Sequence, residues 1–253
     1  MSSDNNNAAP VQPKRVAMVI SNPASDTTTQ QTAGFWWSEL THPYYEFIQA
    51  GYEVEIFSND GGKCVADAMS DPGDQSGYSA NDLVTIGFMA TARLLSLVEN
   101  TKKVSEIAIE KFDAIFVTGG QGPMYTYETA TDLQQKVVAF FEADKVVATI
   151  CHGAAIFKFA KHADGKYLTT GKNVNGFSNA EEDFIDHSMW QYGYLPHGKS
   201  FTPWRIEDAI KSTGANYQEG GLWKPFAVRD GKLVTGQQNF SGVATAKKVI
   251  EVI

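Results

Sequence analysis

Residues 146–155, V-V-A-T-I-C-H-G-A-A, constrain the fold more than any other part of the chain. The opening run is apolar, rich in β-branched residues and free of alternation, as in a strand buried on both faces. It stops at Cys151, and the small residues that follow open a helix predicted over 154–161. A strand that turns sharply into a helix holds the turning side chain at the carboxyl edge of a sheet. The helix amino terminus aims free backbone N–H groups at the same spot, favouring a thiolate and any oxyanion beside it. This is the arrangement of a nucleophile elbow, with sulfur in place of a serine oxygen. The alternative is a buried structural cysteine. His152 and Gly153 are poor choices for a plain buried turn and weigh toward the nucleophile.

Strands and helices alternate around this element. Strands are predicted over 15–21, 53–57 and 114–117, and helices over 39–50, 132–143, 206–213 and 243–253. Amphipathic helical stretches lie within 81–109, including 92–98, and Arg229-Asp230-Gly231 turns a hairpin between 226–228 and 232–235. This order predicts an α/β fold, a mostly parallel sheet with helices on both faces and a few antiparallel additions. Ligands of such sheets sit beyond the carboxyl ends of the strands, where the elbow and the turn Thr118-Gly119-Gly120-Gln121-Gly122-Pro123 both fall. No internal repeat or linker interrupts the pattern, so a single domain is expected over 14–253. Residues 1–13, polar and Asn-rich with no apolar core for a signal peptide, are expected to form a disordered tail.

Composition narrows the partners. A net charge of -8 argues against nucleic acid and anionic membrane. No stretch approaches the ~18–20 apolar residues of a membrane span. The two cysteines, Cys64 and Cys151, make no disulfide framework, and a cytoplasmic location that keeps Cys151 reduced is expected. His42, His162, His187 and His197 show no metal-ligand spacing, so no metal is expected. The five tryptophans read as packing residues, with Phe35, Trp36 and Trp37 near enough to Glu39 to wall a pocket.

A cysteine nucleophile needs a base, something to orient the base, and an oxyanion site. His152 adjoins Cys151, so its side chain is open to pointing away and pairing with a distant carboxylate while its backbone N–H faces an oxyanion. The turn at 119–122 lacks both the P-loop lysine and the dinucleotide pattern. It suits a second oxyanion donor, because glycine lets backbone amides approach a ligand, and equally a purely structural turn. On spacing alone, Glu39 reads as a solvated or capping residue and Glu181-Glu182 as a solvated first helical turn.

Several segments together resemble the DJ-1/PfpI superfamily, in that family's order from Lys14 onward. They are A-T-I-C-H-G-A-A, T-G-G-Q-G-P-M, S-E-L-T-H-P-Y-Y-E-F-I-Q-A-G-Y-E-V-E-I-F-S, K-N-V-N-G-F-S-N-A-E-E and D-G-K-L-V-T-G-Q-Q-N-F-S. The chain is most similar to the glyoxalase III branch, whose members also act as stress chaperones. The resemblance implies a flavodoxin-like, doubly wound sheet with a nucleophile elbow. It implies Cys151 as nucleophile, His152 as its base, Glu182 as the acidic third member with Glu181 as a one-residue alternative, and Glu39 as the carboxyl touching the cysteine. The backbone amides of Gly120 and His152 would bind the oxyanion, with Gly119 and Gln121 beside them. Four positions depart from the branch, at Gln121, Tyr125-Thr126 and Ala154. Residues 186–204 align poorly and leave open whether they form a lid.

The activity so implied is glutathione-independent conversion of methylglyoxal or glyoxal to lactate or glycolate, through a Cys151 hemithioacetal. No cofactor or metal is called for; the partners are a small dicarbonyl substrate and a second copy of the chain in a homodimer. The other classes are a different cysteine-dependent hydrolase or hydratase (deglycase, amidase, isonitrile hydratase) and a stress-inducible holdase or redox sensor.

Overall fold

The computed structural model describes residues 12–26 and 31–253. The expected tail, residues 1–13, lies outside the described residues except for its last two. Seven strands form one sheet: β1 (Arg15–Val19), β2 (Glu53–Ser58), β3 (Lys102–Lys103), β4 (Ala114–Val117), β5 (Val146–Ile150), β6 (Ala227–Asp230) and β7 (Leu233–Gly236). Their order is β6-β7-β5-β4-β1-β2-β3, parallel throughout except for the β6–β7 hairpin. β4 and β5 are buried at every residue, so layers cover both faces of the sheet. That is why these strands read as unbroken apolar runs.

The chain leaves β1 towards β2, then crosses back over β1 to place β4 on its other side. This reversal opens a crevice at the carboxyl ends of β1 and β4. Register sets what meets there. Val19 lies opposite Val117, and Val117 opposite Thr149, so the residues after β4 and β5 emerge side by side.

Among the described residues, the α-helices of seven or more residues are α1 (Trp37–Gln49), α2 (Leu83–Ala90), α3 (Ala92–Glu99), α4 (Thr131–Glu142), α5 (Asn179–Gln191), α6 (Ile206–Ser212) and α7 (Gly242–Ile250). α1 packs on α7, α2 and β2, while α4 packs on β4 and β5. α1 buries most of its first two turns, including Glu39. Pro43 lies within α1 and cannot return an N–H to the carbonyl of Glu39. No helix among the described residues is long and apolar enough to cross a membrane.

Three elements differ from the pattern read in the sequence. The helix expected over 154–161 is a 3₁₀ helix, Cys151–Lys158, that begins at the cysteine itself. Gly153 lets it press on the end of β4: a Cβ there would lie 2.6 Å from the carbonyl oxygens of Val117 and Thr118. The stretch 81–109 resolves into α2, α3 and then the edge strand β3, whose two lysines are exposed and carry no strand-like alternation. α5 was foreshadowed only by its Glu pair. Its start is a capping box, in which Ser178 Oγ accepts from Glu181 N–H at 3.3 Å and Glu181 Oε2 accepts from Ser178 N–H at 3.1 Å.

Candidate active site

β5 ends in an extended Ile150, and Cys151 then takes φ +56°, a left-handed conformation costly for a residue with a Cβ. The strain folds strand into 3₁₀ helix within one residue and leaves the thiol at the sheet's carboxyl edge, 4% exposed. The same turn brings His152 round to the sulfur. Its Nδ1 lies 3.3 Å from Cys151 Sγ, so sequence adjacency does not separate the two. Its Nε2 lies 3.3 Å from Glu182 Oε1 in the first turn of α5. Thr202 completes the line by donating its hydroxyl to Glu182 Oε2 at 3.1 Å.

Packing fixes the imidazole. It stacks on Phe177 with centroids 4.5 Å apart and meets Phe201 edge-on at 6.4 Å. Phe177 is backed in turn by Trp223, another non-glycine residue with positive φ, +54°. Glu181 points elsewhere. Besides Ser178 it accepts from Gln237 Nε2 at 2.8 Å and from the Trp223 amide at 3.2 Å, tying that loop to the start of α5. Geometry therefore separates the two glutamates: Glu182 orients the histidine, and Glu181 holds the scaffold. Residues 186–204 form part of this scaffold rather than a detached flap. Phe201 N–H donates to Asp186 Oδ1 at 2.9 Å, and Trp190 Nε1 donates to the Lys199 carbonyl at 2.7 Å.

Glu39 reaches the cysteine from α1. It is fully buried; its Oε2 accepts from Gly119 N–H at 2.8 Å, and its carboxyl interacts with the Cys151 thiol. Its Oε1 has no hydrogen-bond partner among the described residues. Burial raises its pKa to about 8 against the pull of the thiol and the Gly119 amide, with nearby Asp67 pushing the same way, so the carboxyl is protonated at neutral pH. Burial also pushes the Cys151 thiol well above its usual value, and a charged Glu39 adds to this, whereas the His152 backbone N–H pulls it down. The pair tolerates one negative charge, not two. A neutral Glu39 raises the thiol less than a charged one would.

Among the glycines of the turn, Gly119 spends its amide on Glu39, and Gln121 spends its own on Asp67 Oδ2 at 2.6 Å. Gly120, at φ +95°, makes no amide hydrogen bond among the described residues. A Cβ on Gly119 would lie 2.8 Å from His152 N, so the turn abuts the second candidate oxyanion donor. Cys151, His152, Glu182, Glu39 and the turn therefore converge. Phe35 and Trp37 are buried core, while Trp36 is half-exposed and lies edge-on to Tyr78 at 5.7 Å. Cys64 is a buried thiol, raised by burial, among Asn22, Ser58 and Thr101. Of the other histidines, His42 pairs with Asp82, His162 with Glu142 and His187 with the Asp183 carbonyl, and His197 lies against Trp190. Among the described residues no group of three or more His, Cys, Asp or Glu is placed to hold a metal.

Sequence reasoning missed Thr202, Phe177 and Asp67. Thr202 stands 20 positions from its partner in a segment without periodicity, and no local signal marks it. Asp67 lies in a Gly- and polar-rich loop that reads as solvated.

A profile of the DJ-1/PfpI family matches residues 31–252. The chain is 30% identical to "Glyoxalase 3" of Candida albicans over 214 residues, 84% of this chain and 86% of that one. It is 28% identical to "Glutathione-independent glyoxalase HSP31" of Saccharomyces cerevisiae over 222 residues, 85% of this chain and 87% of the relative. The crystal structure of the Rapid Encystment Protein 24 KDa of Francisella tularensis superposes with a TM-score of 0.82 at 27% identity, covering 94% of this chain and 98% of that one.

Proposed function

The chain belongs to the DJ-1/PfpI family, and on that premise we propose that it is a glutathione-independent glyoxalase turning methylglyoxal or glyoxal into lactate or glycolate. The observation that carries this reading is the line from Cys151 Sγ through the two nitrogens of His152 to Glu182, at 3.3 Å and 3.3 Å, beside a carboxyl held neutral by burial. A nucleophile only 4% exposed suits an aldehyde of two or three carbons better than a bulky substrate.

The thiol is not ionised at rest, so attack and deprotonation go together. Cys151 Sγ bonds to the aldehyde carbon while its proton passes to His152 Nδ1, with Glu182 stabilising the imidazolium through Nε2. Glu39 donates a hydrogen bond to the charge that develops on the attacking sulfur as its proton leaves, and the amides of Gly120 and His152 receive the carbonyl oxygen as it becomes an oxyanion. The imidazolium returns its proton to that oxygen, giving a neutral hemithioacetal. His152 then takes the proton from the former aldehyde carbon and delivers it to the neighbouring carbon, while the hydroxyl proton of the hemithioacetal passes to the ketone oxygen, so that an enediol links the two isomers. The product is a thioester of the 2-hydroxy acid. Water, activated by His152, cleaves it and releases the thiol. Substrate and water thus combine into the hydroxy acid with no net oxidation.

The reading includes a cytoplasmic setting, where reducing conditions keep Cys151 a thiol, and a homodimer, which sedimentation velocity tests. The function itself is tested by incubating the protein with methylglyoxal without glutathione and detecting lactate. Lactate formation supports the proposal, and a folded protein that makes none refutes it.

A further inference from the structure

Asp67 takes no part in the scheme above, yet it is a buried carboxyl, 6% exposed, next to the reacting groups. It lies in the loop between β2 and α2. Oδ1 accepts from Gly34 N–H at 2.7 Å, Oδ2 accepts from Gln121 N–H at 2.6 Å, and its own N–H donates to the Phe35 carbonyl at 2.8 Å. Asp67 therefore adds a side-chain tie between the segment that enters α1 and the turn that leaves β4, which also share the backbone bonds Trp36 N–H to Gly119 O at 3.3 Å and Gly122 N–H to Gly34 O at 2.7 Å. Glu39 grips the same turn one residue earlier, through Gly119 N–H at 2.8 Å. The turn is held by its first and third amides, and the middle one, Gly120 N–H, makes no hydrogen bond among the described residues. Close packing leaves Gly120 little freedom: a Cβ there would lie 2.5 Å from Gly34 O and 2.6 Å from Trp36 N.

We propose that Asp67 is a positioning residue for the reaction: its carboxylate locks the turn so that the Gly120 N–H faces the substrate oxygen alongside that of His152. The inference rests on the glyoxalase reading of this site and adds to it a residue that acts only through the backbone. The lock needs the ionised form. Both oxygens accept from N–H donors, so a proton on either one takes charge and acceptor capacity from the carboxyl and weakens the grip on its amides. Burial raises Asp67 to about 7, the two amides lower it and Asp26 raises it, which puts the change of state near neutral pH. The ionisable groups facing it are Asp26, whose Oδ1 accepts from Tyr125 Oη at 3.0 Å, and Glu39 of α1. The Gly34–Trp36 segment and the glycine turn meet it through backbone hydrogen bonds and carry no charged residue.

The test is Asp67→Asn in the full chain, with circular dichroism and melting as controls. Asparagine accepts from one amide and opposes the other with its NH₂. The expected result is a folded protein whose kcat on methylglyoxal falls on the order of 10²-fold, as for a misplaced oxyanion donor, with KM within about threefold. The wild type is expected to lose rate below about pH 7, and in the variant that loss should disappear. A folded variant with wild-type kcat and an unchanged acid limb overturns the inference. Should the variant not fold, ¹⁵N amide shifts of the Cys151→Ser chain decide. Gly34, Gly120 and Gln121 amides moving together through one midpoint near neutral support the lock, and a Gly120 amide that stays put overturns it. A wild type without methylglyoxal turnover defeats the glyoxalase reading, while the same amide titration still judges the lock separately.

Discussion

Replacing Glu182 with glutamine keeps the side chain's shape and removes its charge, and the structure sets what this costs. A hydrogen bond to a charged group contributes about 1.5–3 kcal/mol. At 3.3 Å the contact with His152 Nε2 is slightly longer than a good N–H···O bond, which favours the lower half of that range. About 2 kcal/mol corresponds to roughly 30-fold in rate. Thr202 enlarges the effect. Its hydroxyl donates to the second carboxylate oxygen at 3.1 Å, and in the variant it competes for the single amide oxygen. The glutamine NH₂ then faces Nε2 and forces the imidazole proton onto Nδ1, the nitrogen that must receive the thiol proton. A histidine in the wrong tautomer carries losses towards ~10⁴-fold. Methylglyoxal turnover in the absence of glutathione, measured on protein with an unchanged melting temperature, should therefore show kcat at least ~30-fold down with KM little moved. Glu182→Gln with Thr202→Val, which frees the amide oxygen to turn back, should be more active than Glu182→Gln alone. A folded Glu182→Gln within threefold of wild type would refute the reasoning.

The remaining predictions come from the same contacts. Glu39 works while protonated, so kcat/KM should fall as pH rises through about 8, and Glu39→Gln should lose that fall; a wild-type rate climbing steadily past pH 9 would contradict it. Because the folded-state pKa of Glu39 is raised from 4.5 to about 8, folding retains a proton that the unfolded chain releases, and stability should decline over that interval. Melting of Glu39→Gln should accordingly gain on wild type more at pH 9 than at pH 5. Gly119→Ala puts a methyl 2.6 Å from Glu39 Oε2 and 2.8 Å from His152 N, so calorimetry should report about 1–3 kcal/mol lost and turnover should drop with it.

What was legible in the sequence was what local chemistry writes there. The buried strand ending in Cys151, the glycine turn after β4 and the hairpin around Gly231 are set by burial, close approach and turn geometry within a few residues. The capping box S-N-A-E before α5 was also present and would have placed that helix, had Glu181 been read as its reciprocal cap. The role of Glu182 became distinct from that of Glu181 only once α5 was oriented on His152, since helix geometry turns adjacent side chains apart. The 3₁₀ winding at the elbow depends on how closely Gly153 approaches β4, a tertiary distance with no local signature. Thr202 and Asp67 act across 20 and 54 positions, Asp67 on a backbone amide, and side-chain-to-backbone contacts leave no pattern in residue types.

The most direct test of the account compares wild type with Cys151→Ala, supplied with methylglyoxal and no glutathione, by chiral detection of lactate. The account predicts lactate of one handedness from the wild type and none above background from Cys151→Ala, with both proteins folded. Equal lactate from the two proteins, or none from a folded wild type, would contradict it.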